Sequence, residues 1–270
     1  MPDRGLVLRA CALYPDLMNI YADRGNLLLL EHRCRWRGIG FSLSASHIGD
    51  ELDPDAADLV YIGGGQDRDQ ELCALDLAEV KRDALLTVAE RGGVILAVCG
   101  GYQLLGHSYQ LGGEELPGIG LLDAVTVRSD GPRLIGNVAI EVELEPGHRR
   151  VLAGFENHGG RTHLGPAAQP LGRVLSGHGN NGRDGYEGVR RRNVIGTYLH
   201  GPLLPQNAWF ADWLVATALG SAERGPGAPS ERGGLSAGGG GAVAPGGGLQ
   251  PLEDELEAAA HAEALRAAGV

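Results

Sequence analysis

One stretch of sequence, residues 94–106 (VILAVCGGYQLLG), constrains the fold more than any other. Five consecutive apolar residues are typical of a strand that is covered on both faces, as in parallel sheets. Cys99 follows directly, then two glycines, then an apolar segment of helical character. The stretch therefore predicts a strand, a tight turn and a helix, with Cys99 at the turn, as in a nucleophile elbow. A helix that begins beside the sulfur would favour the reactive thiolate.

The surrounding sequence alternates in the same way. Apolar runs at residues 6–12, 39–44 and 57–62 predict strands, and residues 70–91 have helical spacing that ends at two glycines. This alternation predicts an α/β fold with an open, mainly parallel sheet flanked by helices. Later strands are predicted at residues 125–127, 137–144 and 194–198, and an amphipathic helix at 207–219, whereas ENHGGRTHLG and GHGNNGRDGYEG have the composition of loops.

The last fifty residues differ from the rest in composition. We predict one domain over residues 1–220, because Gly, Pro, Ala and Ser dominate from there to about residue 251. Such a composition is typical of a flexible tail. Residues 252–268 are acidic and rich in alanine, and they predict a short helix that is dispensable for chemistry.

Charge and cysteine content exclude several classes of protein. The net charge is -11 and no basic stripe is present, which argues against a nucleic-acid partner. We find no signal peptide and no apolar run of about 18 residues, so we predict a cytoplasmic protein with no membrane span. The four cysteines lack zinc-type spacing, so no metal site is predicted. Cys11, Cys34 and Cys73 lack the context of Cys99 and are predicted to be buried structural thiols.

Three further segments supply groups that suit a reactive cysteine. GGGQD (residues 63–67) ends a strand, and the N–H groups of Gly64 and Gly65, with that of Gly100, are candidate oxyanion donors; a plain turn or a phosphate loop is the alternative. His200 ends the segment GTYLH and is a candidate base for the Cys99 thiol. Arg133 or Arg161 is suited to hold a substrate carboxylate, unless both are solvated loop charges.

The segments AVCGGYQLLG, YIGGGQD and GTYLHGPLLPQN resemble class I (triad-type) glutamine amidotransferases of the cobyrinic acid synthase-like branch. The resemblance covers about residues 5–220, and it implies a flavodoxin-like sheet. It also implies a Cys99 nucleophile, a His200 base, an oxyanion hole around Gly64, Gly65 and Gly100, and Arg133 as a contact for L-glutamine.

Within this branch, the chain resembles the GatD-type glutaminase subunits of bacterial lipid II isoglutaminyl synthases. Two less specific motifs carry this narrower resemblance, LYPDLMNIYADRGN and FENHGGRTHLG. This narrower resemblance implies a heterodimer with a Mur-ligase-like (MurT-type) synthetase subunit. It implies no cofactor in this chain, with ATP and Mg²⁺ on the partner. The ammonia would amidate the D-glutamate of lipid II to D-isoglutamine in peptidoglycan synthesis.

The sequence departs from the family pattern in one place. Triad amidotransferases carry an acid two residues after the histidine, and this chain has Pro202 there. We therefore expect the partner subunit to supply the carboxylate that orients His200, or the site to work as a Cys–His dyad.

Other functions remain open on the sequence alone. The chain could serve another acceptor, such as a corrinoid, although no P-loop of a fused ATP-binding domain is present. A non-catalytic glutamine sensor or scaffold is a second alternative, against which the intact Cys99 and His200 argue. A cysteine hydrolase or chaperone with a similar elbow is a third, but such proteins usually carry an acidic residue shortly before the cysteine, and here the apolar VILAV precedes Cys99.

Overall fold

The computed structural model describes residues 5–20, 23–111, 114–224 and 249–270. Strands and helices alternate over the first hundred residues, as the apolar runs predict. In chain order these elements are β1 (Val7–Leu13), α1 (Arg24–Arg35), β2 (Gly40–Ser46), β3 (Leu59–Ile62), α2 (Asp67–Asp76), a π-helical turn (Leu77–Lys81), α3 (Arg82–Glu90), β4 (Val94–Val98) and α4 (Gly100–Leu105).

The second half contains more strands than the sequence predicts. In chain order it comprises β5 (Ser108–Leu111), β6 (Glu114–Pro117), β7 (Ala124–Arg128), β8 (Leu134–Glu145), β9 (His148–His158), β10 (Gly160–Leu164), β11 (Gly172–Ser176), β12 (Tyr186–Glu187), β13 (Val189–Arg191), β14 (Val194–Thr197), a 3-10 turn (Leu204–Gln206), α5 (Ala208–Arg224) and α6 (Glu255–Ala268). The loop predicted for ENHGGRTHLG is wrong, because β9 and β10 run through it. Pairing of β9 with β8 and of β10 with β7 satisfies its backbone and overrides the low strand propensity of glycine.

The main sheet has six strands and confirms the predicted α/β class. Five parallel strands follow the order β2, β1, β3, β4, β14, and β13 adds to the edge in the antiparallel direction. This is the flavodoxin-like order, in which ligands collect at the carboxyl ends of the strands. All five residues of β4 are buried, as expected for a central strand with helices on both faces.

Two smaller sheets lie beside the main one, with strand orders β10-β7-β5-β6 and β12-β11-β8-β9. The long hairpin of β8 and β9 is the main feature of the second. Its last residues reach the main sheet, because Phe155 forms an antiparallel bridge with His200. The hairpin therefore ends where the carboxyl ends of the parallel strands meet.

The C-terminal part of the chain differs in detail from the prediction. Helix α5 continues to Arg224, past the predicted domain boundary at residue 220. Most of the predicted flexible tail, residues 225–248, lies outside the described residues. Residues 249–270 are described, and α6 occupies the part for which the sequence predicts a helix. Within the described ranges, we find no helix that is both long and apolar enough to cross a membrane.

Candidate active site

Four segments meet at the carboxyl edge of the main sheet. Cys99 follows β4, the glycines at 63–65 follow β3, His200 lies just beyond β14, and Asp23 lies in the connection from β1 to α1. Parallel strands end at one edge, which is why residues so distant in sequence lie together. The structure therefore brings together the two residues, Cys99 and His200, on which the sequence analysis depends most.

Cys99 lies at a strained turn between β4 and α4. Its φ of 51° and ψ of -105° are unusual for a residue with a side chain, and its N–H donates to the carbonyl of Thr197 at 2.8 Å. A Cβ at Gly101 would lie only 2.7 Å from Ile62 Cγ2, so the turn needs glycine there. This geometry is that of a nucleophile elbow.

His200 is fully buried, and its backbone is held on both sides. Its N–H donates to the carbonyl of Phe155 at 2.8 Å, and its carbonyl accepts the N–H of Phe155 at 3.1 Å. Burial alone would lower the pKa of the imidazole, but the Cys99 sulfur and the Asp23 carboxylate outweigh it and raise the pKa to about 10. The ring thus interacts with the thiol on one side and with a carboxylate on the other.

Asp23 is a candidate for the carboxylate that orients His200, which the sequence analysis expected from a partner subunit or not at all. The sequence places no acid near His200, yet Asp23 Oδ1 lies 3.6 Å from His200 Nδ1, and both side chains are fully buried. This separation exceeds an ordinary hydrogen bond but is within ion-pair contact. The expectation that this chain lacks a candidate orienting acid is therefore wrong, since the connection from β1 supplies one.

The glycine loop after β3 contacts both Asp23 and His200. The Gly64 N–H donates to Asp23 Oδ2 at 2.6 Å, so in this geometry Gly64 is not free to act as the oxyanion donor that the sequence predicts. A Cβ at Gly64 would lie 2.9 Å from Ile20 Cγ1 and 3.1 Å from His200 Cε1, which explains the need for glycine. Gly65 lines the cavity at Cys99, and Gly100 is the first residue of α4, where an N–H has no acceptor within the helix.

A cavity of about 170 Å³ opens at Cys99, a volume below that of sites for drug-sized ligands. Arg133 lines it, and its guanidinium donates to the Asn157 side-chain oxygen and carbonyl, each at 2.8 Å. Arg161 does not line this cavity, and its guanidinium donates to the carbonyls of Pro132 and Gly159. Of the two arginines predicted from sequence, the structure places only Arg133 where a ligand carboxylate could meet it.

Several residues that line the cavity were not predicted from the sequence. Gln103 donates from Nε2 to the Tyr198 hydroxyl at 3.0 Å, and Gln70 donates to the Gly65 carbonyl at 2.9 Å. His158 lines the cavity as well, and its ring stacks on Tyr198 with centroids 3.6 Å apart. Gln103 had a usable signal, because it lies one helical turn after Cys99. Gln70 had no such signal. Asp23 and His158 lie within the segments LYPDLMNIYADRGN and FENHGGRTHLG, but only tertiary contacts show that they reach the site.

The other three cysteines are buried away from this cavity. Burial raises the pKa of the Cys34 and Cys73 thiols to about 12 and raises that of Cys11 as well. These thiols are therefore structural, as predicted. Among the residues that the structure describes, no group of three or more His, Cys, Asp or Glu side chains is arranged to hold a metal ion.

Comparison with known proteins places the chain in a family. Residues 9–208 match the CobB/CobQ-like glutamine amidotransferase domain. Subunit GatD of the glutamine-hydrolysing lipid II isoglutaminyl synthase from Streptococcus pneumoniae is 39% identical over 213 residues, which are 78% of this chain and 80% of that protein. Its Staphylococcus aureus counterpart is 40% identical over 204 residues, covering 75% of this chain and 81% of that protein.

A solved structure supports the fold independently. A chain of PurLQS from Thermotoga maritima superposes with a TM-score of 0.53 at 22% identity, covering 80% of this chain and 96% of that chain. The similarity applies to the fold alone. With the family match over most of the described chain, it leads to one assignment: the chain belongs to the CobB/CobQ-like glutamine amidotransferases.

Proposed function

We propose that this chain hydrolyses L-glutamine to glutamate and ammonia, with Cys99 as nucleophile and His200 as base. The observation that carries the proposal is the strained position of Cys99, whose sulfur interacts with a buried His200 that in turn faces Asp23. Nucleophile, base and orienting acid are the parts that acyl transfer through a covalent intermediate requires.

The first half of the reaction forms a thioester. Before the attack, the His200 ring already holds the proton of the Cys99 thiol, in keeping with its raised pKa. The Cys99 sulfur attacks the carboxamide carbon of glutamine, so that a C–S bond forms and the carbonyl oxygen becomes an oxyanion. We assign its stabilisation to the N–H groups of Gly65 and Gly100, because the Gly64 N–H is bonded to Asp23. When the tetrahedral intermediate collapses, the C–N bond breaks and His200 returns the proton to the departing ammonia.

The second half regenerates the enzyme. His200 removes a proton from water, and the resulting hydroxide attacks the thioester carbon. The C–S bond breaks, glutamate leaves, and His200 returns the proton to the sulfur. Throughout, Arg133 holds the α-carboxylate of the substrate, which a guanidinium anchored on Asn157 is suited to do.

The ammonia passes to a second protein in our proposal. Both GatD relatives are named as subunits of a glutamine-hydrolysing lipid II isoglutaminyl synthase, and the present chain covers about four fifths of each. We infer a heterodimer with a Mur-ligase-like synthetase subunit of MurT type in the cytoplasm. ATP and Mg²⁺ belong to that subunit, which amidates the D-glutamate of lipid II.

The test is ammonia release from L-glutamine by the purified chain, alone and with a co-expressed MurT-type synthetase, beside Cys99→Ala. We expect release that disappears in the variant and, in the complex, amidation of lipid II that depends on ATP. Equal ammonia release from wild type and Cys99→Ala would reject Cys99 as the nucleophile. No release from the complex would favour a sensor or scaffold, whereas release without lipid II amidation would point to another acceptor.

A further inference from the structure

The C-terminal segment, residues 249–270, lies beyond the region that matches the family and yet packs on the domain. The family match ends at residue 208, and residues 225–248, which lie outside the described residues, connect α5 to this segment. Leu249 packs against the main hydrophobic core, and α6 lies against β8, β9 and the 3-10 turn. The groove between these elements is thus occupied by the chain itself.

Buried charge fixes the start of the segment. Arg33 on α1 is fully buried, and its guanidinium donates to Asp212 on α5 at 2.8 Å and to Asp254 at 2.9 Å. Arg37 donates from Nε to the carbonyl of Gln250 at 2.7 Å. An arginine without solvent contact requires such partners, so the segment supplies half of the neutralising charge for Arg33.

From this anchor the helix reaches the loop that carries His200. The ring N–H of His261 at Nδ1 donates to the carbonyl of Gln206 at 2.8 Å, since a carbonyl can only accept. The Gln206 side chain donates in turn to the carbonyl of Gly201 at 3.1 Å. Gly201 directly follows His200 and has a φ of +117°, a conformation that glycine adopts readily, so hydrogen bonds such as this one help to fix which conformation the loop takes.

The geometry points to a positioning role for the C-terminal segment. We propose that the contacts from His261 through Gln206 to Gly201 hold the backbone of His200 where its ring meets Cys99. His261 is then a positioning residue that acts through two others, and α6 is part of the working enzyme, not the dispensable helix that its composition predicts. The inference rests on the proposed role of His200 as base.

The test measures the reactivity of Cys99, which requires neither glutamine turnover nor a partner. Full-length protein, His261→Ala, His261→Asn and Glu263→Gln are treated with iodoacetamide at pH 7, and modification of Cys99 is followed by mass spectrometry. Glu263 is the matched control, because it lies on an exposed part of the same helix and forms a surface pair with Arg266. His200→Ala is run beside them.

We expect His261→Ala to slow the modification by roughly three- to thirty-fold, the range for residues that act through others. His261→Asn should stay within about twofold of wild type, since its amide can donate to the same carbonyl. Glu263→Gln should match wild type. If His261→Ala reacts as fast as Glu263→Gln while His200→Ala is slow, the positioning role is rejected. If His200→Ala also reacts at the wild-type rate, the proposed base itself fails.

A second measurement separates positioning from folding. A protease site introduced within residues 225–248 of the full chain is cleaved after purification, and the released segment is removed by dilution. We expect Cys99 reactivity to fall and to recover when a synthetic peptide of residues 249–270 is added. Unchanged reactivity after removal of the segment, or a loss that the peptide does not reverse, contradicts the proposal.

Discussion

Asp23 links two parts of the candidate site through one side chain. One carboxylate oxygen accepts the N–H of Gly64 at 2.6 Å, and the other lies 3.6 Å from the His200 ring. The first contact fixes the glycine loop, and the second favours the imidazole orientation that a base needs. At the scale of single residues, the site therefore depends on an acid that lies within the segment LYPDLMNIYADRGN but whose role that segment does not reveal.

Asp23→Asn should lower kcat for glutamine hydrolysis by roughly 10²- to 10⁴-fold, as expected when a base loses its orienting acid. The asparagine oxygen can still accept the Gly64 N–H, so the loop should stay in place while the amide faces His200 with the wrong polarity. Asp16→Asn is the matched control, since Asp16 lies in the same connection and is 77% exposed. Activity of Asp23→Asn within threefold of wild type would return the role to a partner subunit or to a dyad.

Arg133→Ala should raise KM for L-glutamine by roughly ten- to a hundredfold with little change in kcat, because a charge-assisted hydrogen bond equal in ground and transition states is lost. L-glutaminamide, which lacks the α-carboxylate, should be used equally by variant and wild type. If Arg161→Ala instead removes the preference of the enzyme for L-glutamine over L-glutaminamide, then Arg161 binds the α-carboxylate despite its hydrogen bonds to main-chain carbonyls.

The residues that could be predicted share a local signal. Cys99 directly follows the apolar strand β4, and His200 lies three residues after the end of β14, so sequence neighbours alone place both near a strand end. Asp23 lies in the connection from β1 to α1, which contains one other acidic residue, Asp16, and nothing local shows which of the two would face His200. The residue types alone did not separate Arg133 from Arg161, whereas the family resemblance favoured Arg133, and in the structure Arg133 lines the cavity and Arg161 does not.

At the scale of elements, the short strand β12 supports the end of β14. Glu187 is fully buried and accepts the N–H of Tyr198 at 2.6 Å and the Thr197 hydroxyl at 2.9 Å. Burial raises the pKa of this carboxyl to about 8, although its hydrogen bonds oppose the shift. Because Tyr198 lies two residues before His200, this contact helps to fix the path of the chain into the site.

Glu187→Gln should change how stability depends on pH. Between pH 4.5 and about 8 the folded protein retains a proton on Glu187 that the unfolded chain has released, so stability falls as pH rises through this window. Glutamine does not titrate. The free energy of unfolding of wild type, relative to the variant, should therefore be higher at pH 5 than at pH 8.5 in urea melts. A difference that is the same at both pH values would contradict the raised pKa.

A strand could be predicted from sequence where its own residues carry the signal, without reference to a pairing partner. The residues of β3 and β4 are buried on both faces, so their apolar runs are visible in sequence. By contrast, β10 reads GRTHL and becomes a strand only through pairing with β7. Whether a glycine-rich, half-polar segment of this kind forms a strand depends on pairing with a strand that is distant in sequence, and hydrophobic periodicity does not reveal such pairing.

At the scale of the whole molecule, Arg33 joins the two ends of the chain. It lies on the first helix, and its carboxylate partners come from α5 and from the residue that precedes α6. The two partners are 22% and 36% exposed, whereas the arginine is fully buried. The cluster therefore ties the C-terminal segment to the N-terminal half through a charge that has no contact with water.

Arg33→Met should lower the free energy of unfolding by about 3 kcal/mol, the low end for breaking a buried ion pair, because water screens the two carboxylates in part. Arg35→Met is the control, since Arg35 is 65% exposed and its pair with Glu31 should contribute less than about 1 kcal/mol. Urea denaturation of both variants at pH 7 measures the difference. Equal losses would show that the buried cluster contributes no more than a surface pair.

The same cluster has a consequence for how the protein is made. Synthesis proceeds from the N-terminus, so α1 leaves the ribosome long before Asp254 does. Until residues 249–270 have emerged, Arg33 has only one of its two carboxylate partners, and the groove that α6 fills beside β8, β9 and the 3-10 turn stays open. During synthesis the surroundings of Arg33 are therefore completed late, and a stop codon that removes Asp254 would leave a buried charge on the first helix with only one of its two carboxylate partners.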